Sequence, residues 1–206
     1  NCTISNNTAT NYGGGVCNDA TESSETSVSS PALIGCTISG NEGSRGGGVA
    51  NYGYGGTSSP TFTNCTINSN TVDQNGGGIY NTGYTGGTSN PTFTGCTISG
   101  NSATYGGGGI FNDGYDGTAS PEFANCTISS NTTTSDGGAM YNSGYNSSGS
   151  GVASPTIDNC IFTNNSAEYS ELGGGAIFNY GWAGTVSPII KNSTFQGNSS
   201  TYCGGA

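Results

Sequence analysis

Few groups in this 206-residue chain could carry chemistry: 12 carboxylates, one arginine (Arg45), one lysine (Lys191), eight cysteines and no histidine. Cleaving a sugar chain needs converging carboxylates, or a base beside bound calcium. The carboxylates stand at scattered places in the sequence pattern, and Arg45 and Lys191 are far apart. Asp113 and Asp116 in NDGYDG, with Glu122 nearby, are the best calcium candidates. That pattern does not recur along the chain, and Asp-Gly is an ordinary turn former. The expectation is therefore a protein with no catalytic residue, no metal site and no cofactor. A polysaccharide-degrading enzyme is the rival class.

The cysteines offer a second chemistry. Cys2, Cys36, Cys65, Cys96, Cys126 and Cys160 recur at one place in a repeated unit, and Ser193 takes the next such place. One cysteine per unit cannot bridge within its unit. Neighbouring units at ~4.8 Å would lie within disulfide reach. Identical side-chain directions make the bond torsion awkward, so a column of buried thiols acting as small hydrophobes is favoured over bridges between turns. Cys17 and Cys203 break the pattern. They are candidate end staples, links to another subunit, or incidental.

A third candidate is aromatic. Tyr54, Tyr84, Tyr115, Tyr145 and Trp182 share one place beside a glycine. They could form a sugar-binding stripe or a subunit contact. Packing of each ring onto its own loop is the favoured reading, with the contact role next.

These residues are positioned by repetition. The units are 1–30, 31–59, 60–90, 91–120, 121–154, 155–187 and 188–206, the first lacking its start and the last cut short. Each reads PTFTNCTISxN, a variable stretch, GGGI[YF]N, xGYxGT, then S-P. A fixed period near 30 residues signals a repeat architecture. Apolar residues are only 31% and glycines number 39, a composition that borders on disorder. Three apolar columns kept in step argue against disorder. Leu33, Phe62, Phe93, Phe123, Ile157 and Ile190 form one. Ile4, Ile38, Ile67, Ile98, Ile128, Phe162 and Phe195 form another. Val16, Val49, Ile79, Ile110, Met140 and Ile177 form the third.

Each unit has three short strand-like pieces, centred on PTF, CTIS and GGGIY, and no helical period. Stacked turn on turn they make an all-β, single-stranded parallel β-helix of about seven rungs, one domain over 1–206. Two asparagine columns sit at its corners. One is Asn7, Asn41, Asn70, Asn101, Asn131, Asn165 and Asn198; the other is Asn18, Asn51, Asn81, Asn112, Asn142 and Asn179. Amide ladders are favoured over ligand binding for both. The Gly-rich run lacks the lysine and helix of a phosphate loop, so it is read as a tight corner.

The pieces FTNN at 162–165, FQGN at 195–198 and ISGN at 98–101, with GGAM at 137–140, GGAI at 174–177 and GGGI at 76–79, resemble the FxxN and GGA[ILV] repeats of the chlamydial polymorphic membrane proteins. Similar repeats occur in other bacterial and archaeal surface proteins. The resemblance spans essentially the whole chain. It implies a right-handed β-helix exposed outside the cell, often adhesive. The chain departs from it in most often using Ile for the first-motif Phe, and it shows no C-terminal membrane barrel.

A net charge of −10 speaks against nucleic acid and anionic membrane surfaces as partners, and no stretch is long enough to insert in a membrane as a helix. The first residue is Asn, so a processed or internal segment is expected. An exterior of Thr, Ser, Asn and Gly suits a secreted or cell-surface location. N-x-[ST] sequons occur at Asn1, Asn6, Asn64, Asn125, Asn131, Asn146, Asn164, Asn192 and Asn198. Asn64 and Asn125, in the turn before CTIS, are the candidates for glycosylation, whereas Asn131 and Asn198 belong to a ladder. The outward threonines from Thr3 to Thr194 could form an ice-binding face, but Ile161 interrupts them and strand propensity explains them better. Only the first unit carries a distinctive insert, 19–30, polar and acidic. Open strand edges at both ends would permit head-to-tail self-association. The expected function is a non-catalytic subunit of a surface filament or the shaft of an adhesin. A polysaccharide-binding or polysaccharide-degrading β-helix is the alternative, with glycans or a host surface as partner.

Overall fold

The computed structural model describes residues 1–21, 27–145, 149–168 and 172–206. The chain winds as a parallel β-helix in which every pairing between named strands is parallel. The CTIS strands, from Thr3–Ser5 to Thr194–Gln196, form a seven-stranded sheet. The PTF strands (Ala32–Ile34 to Ile189–Lys191) and the GGGI strands (Val16–Asp19 to Ile177–Tyr180) each form a sheet of six. Seven strands on one face and six on the others give six turns.

The turn has more sides than the three expected. Two-residue strands such as Thr71–Val72 and Ser102–Ala103, inside the variable stretch, make a further six-stranded sheet. Val28–Ser29, Thr57–Ser58 and Thr88–Ser89 make a three-stranded one, continued by bridges through Thr118, Val152 and Thr185. The polar insert of the first unit lies partly outside the described residues, at 22–26.

Local backbone geometry explains why the strands are so short. The residue before each internal cysteine is left-handed: Gly35, Asn64, Gly95, Asn125 and Asn159, with φ between 51° and 63°. The residue before each asparagine of the first column (Asn7 to Asn198) is left-handed as well, as at Ser69 (55°) and Ser130 (54°). Gly, Asn and Ser are the types that tolerate or locally bond this conformation. Each CTIS strand is thus three residues between two fixed corners. In the GGG run the first glycine turns, as at Gly107 (φ 61°), and the second admits a neighbouring chain. A Cβ on Gly108 would lie 2.3 Å from the Thr132 carbonyl oxygen.

Register places like on like. Ile67 lies between Ile38 and Ile98, and Phe93 between Phe62 and Phe123. The Phe62–Phe93 and Phe93–Phe123 rings are stacked at 4.7 and 4.9 Å. The central members of all three apolar columns are fully buried. Each such side chain contributes ~1.5–3 kcal/mol by burial. The outer turns bury less: Ile4, Val16, Leu33 and Phe195 only partly, and Ile190 is 44% exposed. Among the described residues no helix is long and apolar enough to cross a membrane.

Candidate functional site

Both asparagine columns are ladders. In the first, each Nδ2 donates to Oδ1 of the next turn, through Asn41, Asn70, Asn101, Asn131 and Asn165 to Asn198, at 2.8–3.0 Å. The same Oδ1 also accepts the preceding asparagine's backbone N–H. The second Nδ2 hydrogen goes to an Ile or Phe carbonyl one turn back. The second column repeats the amide link from Asn18 to Asn179 at 2.7–2.8 Å. These amides are bonded to one another and buried at the corners of the turn.

The thiols are also accounted for. Cys36, Cys65, Cys96, Cys126 and Cys160 are buried and all eight cysteines are free. Cys96 Sγ donates to the carbonyls of Phe62 and Thr94. Cys126 N–H donates to Cys160 Sγ, and Cys160 N–H to Ser193 Oγ, so the serine continues the column as its place in the repeat predicts. Burial pushes the Cys65 thiol up, away from the reactive thiolate. Cys2 departs from the expected inward column. It keeps the register but is exposed, because only the turn carrying Cys36 packs against it. Cys17 and Cys203 are exposed, free and in opposite end turns, so they staple nothing within the chain. Alkylation of the native protein should therefore modify Cys2, Cys17 and Cys203, and all eight cysteines after denaturation. Mass spectrometry checks this; a shortfall in the denatured sample would mean bridged cysteines.

The acid candidates do not converge. Asp113 lies on the outer face of the GGGI sheet, whereas Glu122 lies in the PTF sheet between Thr92 and Thr156. Asp116 accepts a hydrogen bond from Ser150 Oγ at 2.8 Å. Among the described residues no cluster of three or more His, Cys, Asp or Glu is placed to hold a metal. Asn64 and Asn125 are exposed, as glycosylation requires, with φ of 51° and 56°. The Asn146 sequon lies outside the described residues.

The outer face of the GGGI sheet is where side chains of functional type gather. Residues 80, 82 and 84 point outward by the two-residue period, with Ile79, Asn81 and Gly83 facing in. Tyr54, Tyr84 and Tyr115 stack at 5.2 Å, Tyr145 is tilted against Tyr115 at 5.8 Å, and Trp182 meets Tyr145 edge-on at 5.3 Å. Middle rings thus cover one another's faces and leave edges and hydroxyls outside. The rings of this ladder therefore meet one another from turn to turn, in addition to whatever contact each makes with its own loop. A second column runs beside it: Tyr80, Phe111, Tyr141 and Phe178, at 4.7–5.7 Å. Sequence reasoning missed it, although the [YF] of GGGI[YF]N is its signature.

Between the two columns runs a floor of Asp19, Tyr52, Thr82, Asp113, Ser143 and Tyr180, paired turn to turn. At Thr82 it opens into a cleft of about 380 Å³. Arg45 stands on one side, its Nη1 donating to Tyr12 Oη at 3.2 Å and its Cζ 5.7 and 5.9 Å from the Tyr12 and Tyr80 rings. On the other side Asp113 accepts from Tyr80 Oη at 2.8 Å and from the Tyr115 N–H at 3.3 Å. Burial pushes the Asp113 carboxyl up, and these two hydrogen bonds pull it back.

Parallel turns, left-handed corners and internal ladders together define one architecture, and a family model for a right-handed β-helix region matches residues 1–205. The chain belongs to the right-handed β-helix family. Neither curated proteins nor solved structures gave a match. Within this β-helix the cleft at Thr82 is a concave polar feature of the aromatic face, lined by Tyr12, Arg45, Tyr52, Tyr84 and Asp113 among others.

Proposed function

We propose that this β-helix is a non-catalytic structural element outside the cell, either a subunit of a self-assembling surface filament or the shaft of a surface adhesin. One observation carries the reading: core columns and both asparagine ladders continue from turn to turn with no break in register. A rod whose turns are interchangeable resists bending and shear, and one turn accepts another by the same pairing that holds its own neighbours. The resemblance of ISGN, FTNN, GGAM and GGAI to FxxN and GGA[ILV] surface repeats supports an exterior, adhesive setting. So does an outer surface built from Thr, Ser and Asn on a chain of net charge −10. The separation of Asp113 from Glu122 favours this reading over sugar cleavage.

Electron microscopy with concentration-dependent light scattering tests it. Filaments with an axial repeat near six turns, about 29 Å at ~4.8 Å per turn, are expected for the subunit. Short dispersed rods at every concentration identify the shaft. Particles that are neither rods nor filaments would overturn both.

A further inference from the structure

Every ring of the outer ladder, from Trp182 to Tyr54, is a tryptophan or a tyrosine, types that yield an electron to strong oxidants. The series does not stop at Tyr54. Tyr52 lies 6.3 Å from Tyr54, Tyr12 5.1 Å from Tyr52, and Tyr80 6.3 Å from Tyr12. The Tyr80 end differs from the rim. Trp182 is 62% exposed and Tyr84 and Tyr145 are 36% and 37% exposed, whereas Tyr80 is 5% exposed. The Tyr80 hydroxyl donates to a carboxylate, Asp113 Oδ2, at 2.8 Å. Among the described residues the rings that meet Tyr80 are Tyr12 and Phe111. Phenylalanine resists such oxidation, so Tyr12 is the link between Tyr80 and the ladder.

From this geometry we propose that Tyr80 and Asp113 form a one-electron oxidation site, supplied through the aromatic ladder. An oxidant of the high-valent haem or one-electron metal-complex class takes an electron from a rim ring such as Trp182. Electrons then pass outward from ring to ring until the vacancy reaches Tyr80. There the O–H bond breaks, its electron going to Tyr12 and its proton to Asp113 Oδ2. The products are a neutral Tyr80 phenoxyl radical, a neutral Asp113 carboxylic acid and the oxidant reduced by one electron. A one-electron reductant of the ascorbate class returns the electron, and Asp113 returns the proton.

The charges require proton and electron to leave Tyr80 together. Arg45 Cζ is 5.7 and 5.9 Å from the Tyr12 and Tyr80 rings, so a cation radical on either is opposed. A vacancy therefore passes Tyr12 without resting there, and settles at Tyr80 only as the proton goes. Burial, with Asp113 beside it, holds the Tyr80 phenol well above its usual range, so the site starts protonated. Burial also pushes the Asp113 carboxyl up, which favours its taking the proton. That proton moves along a hydrogen bond already formed. Burial then sets the fate of the radical. Exposed phenoxyls couple through ring carbons to dityrosine and link one rod to another, whereas a ring as buried as Tyr80 meets no second rod. The pair thus drains oxidation from the rim. This goes beyond the structural reading, since a filament subunit and an adhesin shaft carry the pair equally.

Flash oxidation by photogenerated tris(bipyridine)ruthenium(III), followed by freeze-quench electron paramagnetic resonance, tests it. The protein should show a tyrosyl radical that forms more slowly in D2O. Tyr80→Phe should lose this signal and raise intermolecular dityrosine fluorescence, because the oxidation stays on the rim. Asp113→Asn, which keeps the shape and removes the base, should lose it as well. Tyr12→Phe, which keeps a ring but breaks the relay, should delay it. Circular dichroism checks that each variant is folded. Should Asp113→Asn fail to fold, Tyr80→Phe and Tyr12→Phe decide. No tyrosyl radical in the unaltered protein would overturn the proposal. So would an undiminished signal in Tyr80→Phe or in folded Asp113→Asn, or a prompt one in Tyr12→Phe. None of these results depends on whether filaments form.

Discussion

Ile98→Asp unfolds the rod. Ile98 is fully buried between Ile67 and Ile128 in the continuous core. Losing its side chain costs ~2–5 kcal/mol in packing, and an unpaired buried carboxylate adds several more. The sum rivals the whole stability of an ordinary domain, ~5–15 kcal/mol. A β-helix has no means of routing around the damage, because each turn is held only by its neighbours. Three turns on either side would be left as stubs. Circular dichroism should lose its strand signal at 25 °C. Thr97→Asp, one residue away and facing out, should keep it. A native spectrum for Ile98→Asp would refute the assignment of the core.

Asn101→Leu is the second large effect, although it exchanges a polar side chain for an apolar one of similar size. Four hydrogen bonds converge on this amide. Its Oδ1 accepts from Asn70 N and Asn70 Nδ2, and its Nδ2 donates to Ile67 O and Asn131 Oδ1. Leucine leaves the buried Asn70 N–H, one Asn70 amide hydrogen, the Ile67 carbonyl and one acceptor of Asn131 without that partner. At ~1–3 kcal/mol for each unsatisfied group, the loss should be roughly 4 kcal/mol or more. Urea denaturation reads it as a lowered midpoint. Asn68→Leu, on the outward face in register with Ser39 and Ser99, serves as the control, because this half-buried side chain has an Oδ1 with no hydrogen-bond partner to lose. Equal midpoints for the two variants would mean the ladder contributes nothing to stability.

Much of this architecture is legible because the repeat averages out local ambiguity. A single TFT or TIS cannot be told from a loop, but Phe62, Phe93 and Phe123 recurring in step with Ile67, Ile98 and Ile128 can. Ladder asparagines are legible for the same reason. The sheet through Thr71–Val72 and Ser102–Ala103 is not, because two residues cannot display a period and their types change from turn to turn. The cleft is legible least of all. Its lining comes from different places in the unit, Tyr12 and Arg45 just ahead of the GGG run and Tyr52, Thr82 and Asp113 on the floor, and only register sets them side by side.

The ladders carry one more implication. All links in both columns point the same way, N–H toward the following turn and oxygen toward the preceding one. Aligned carboxamides polarise one another, so each column acts as a row of head-to-tail dipoles. Sheet backbones contribute little against this, because their own dipoles largely cancel. The object is therefore a directional one, with a vector along its axis. Two such turns brought together in the same sense extend both rows; brought together in opposite senses, they confront oxygen with oxygen or hydrogen with hydrogen.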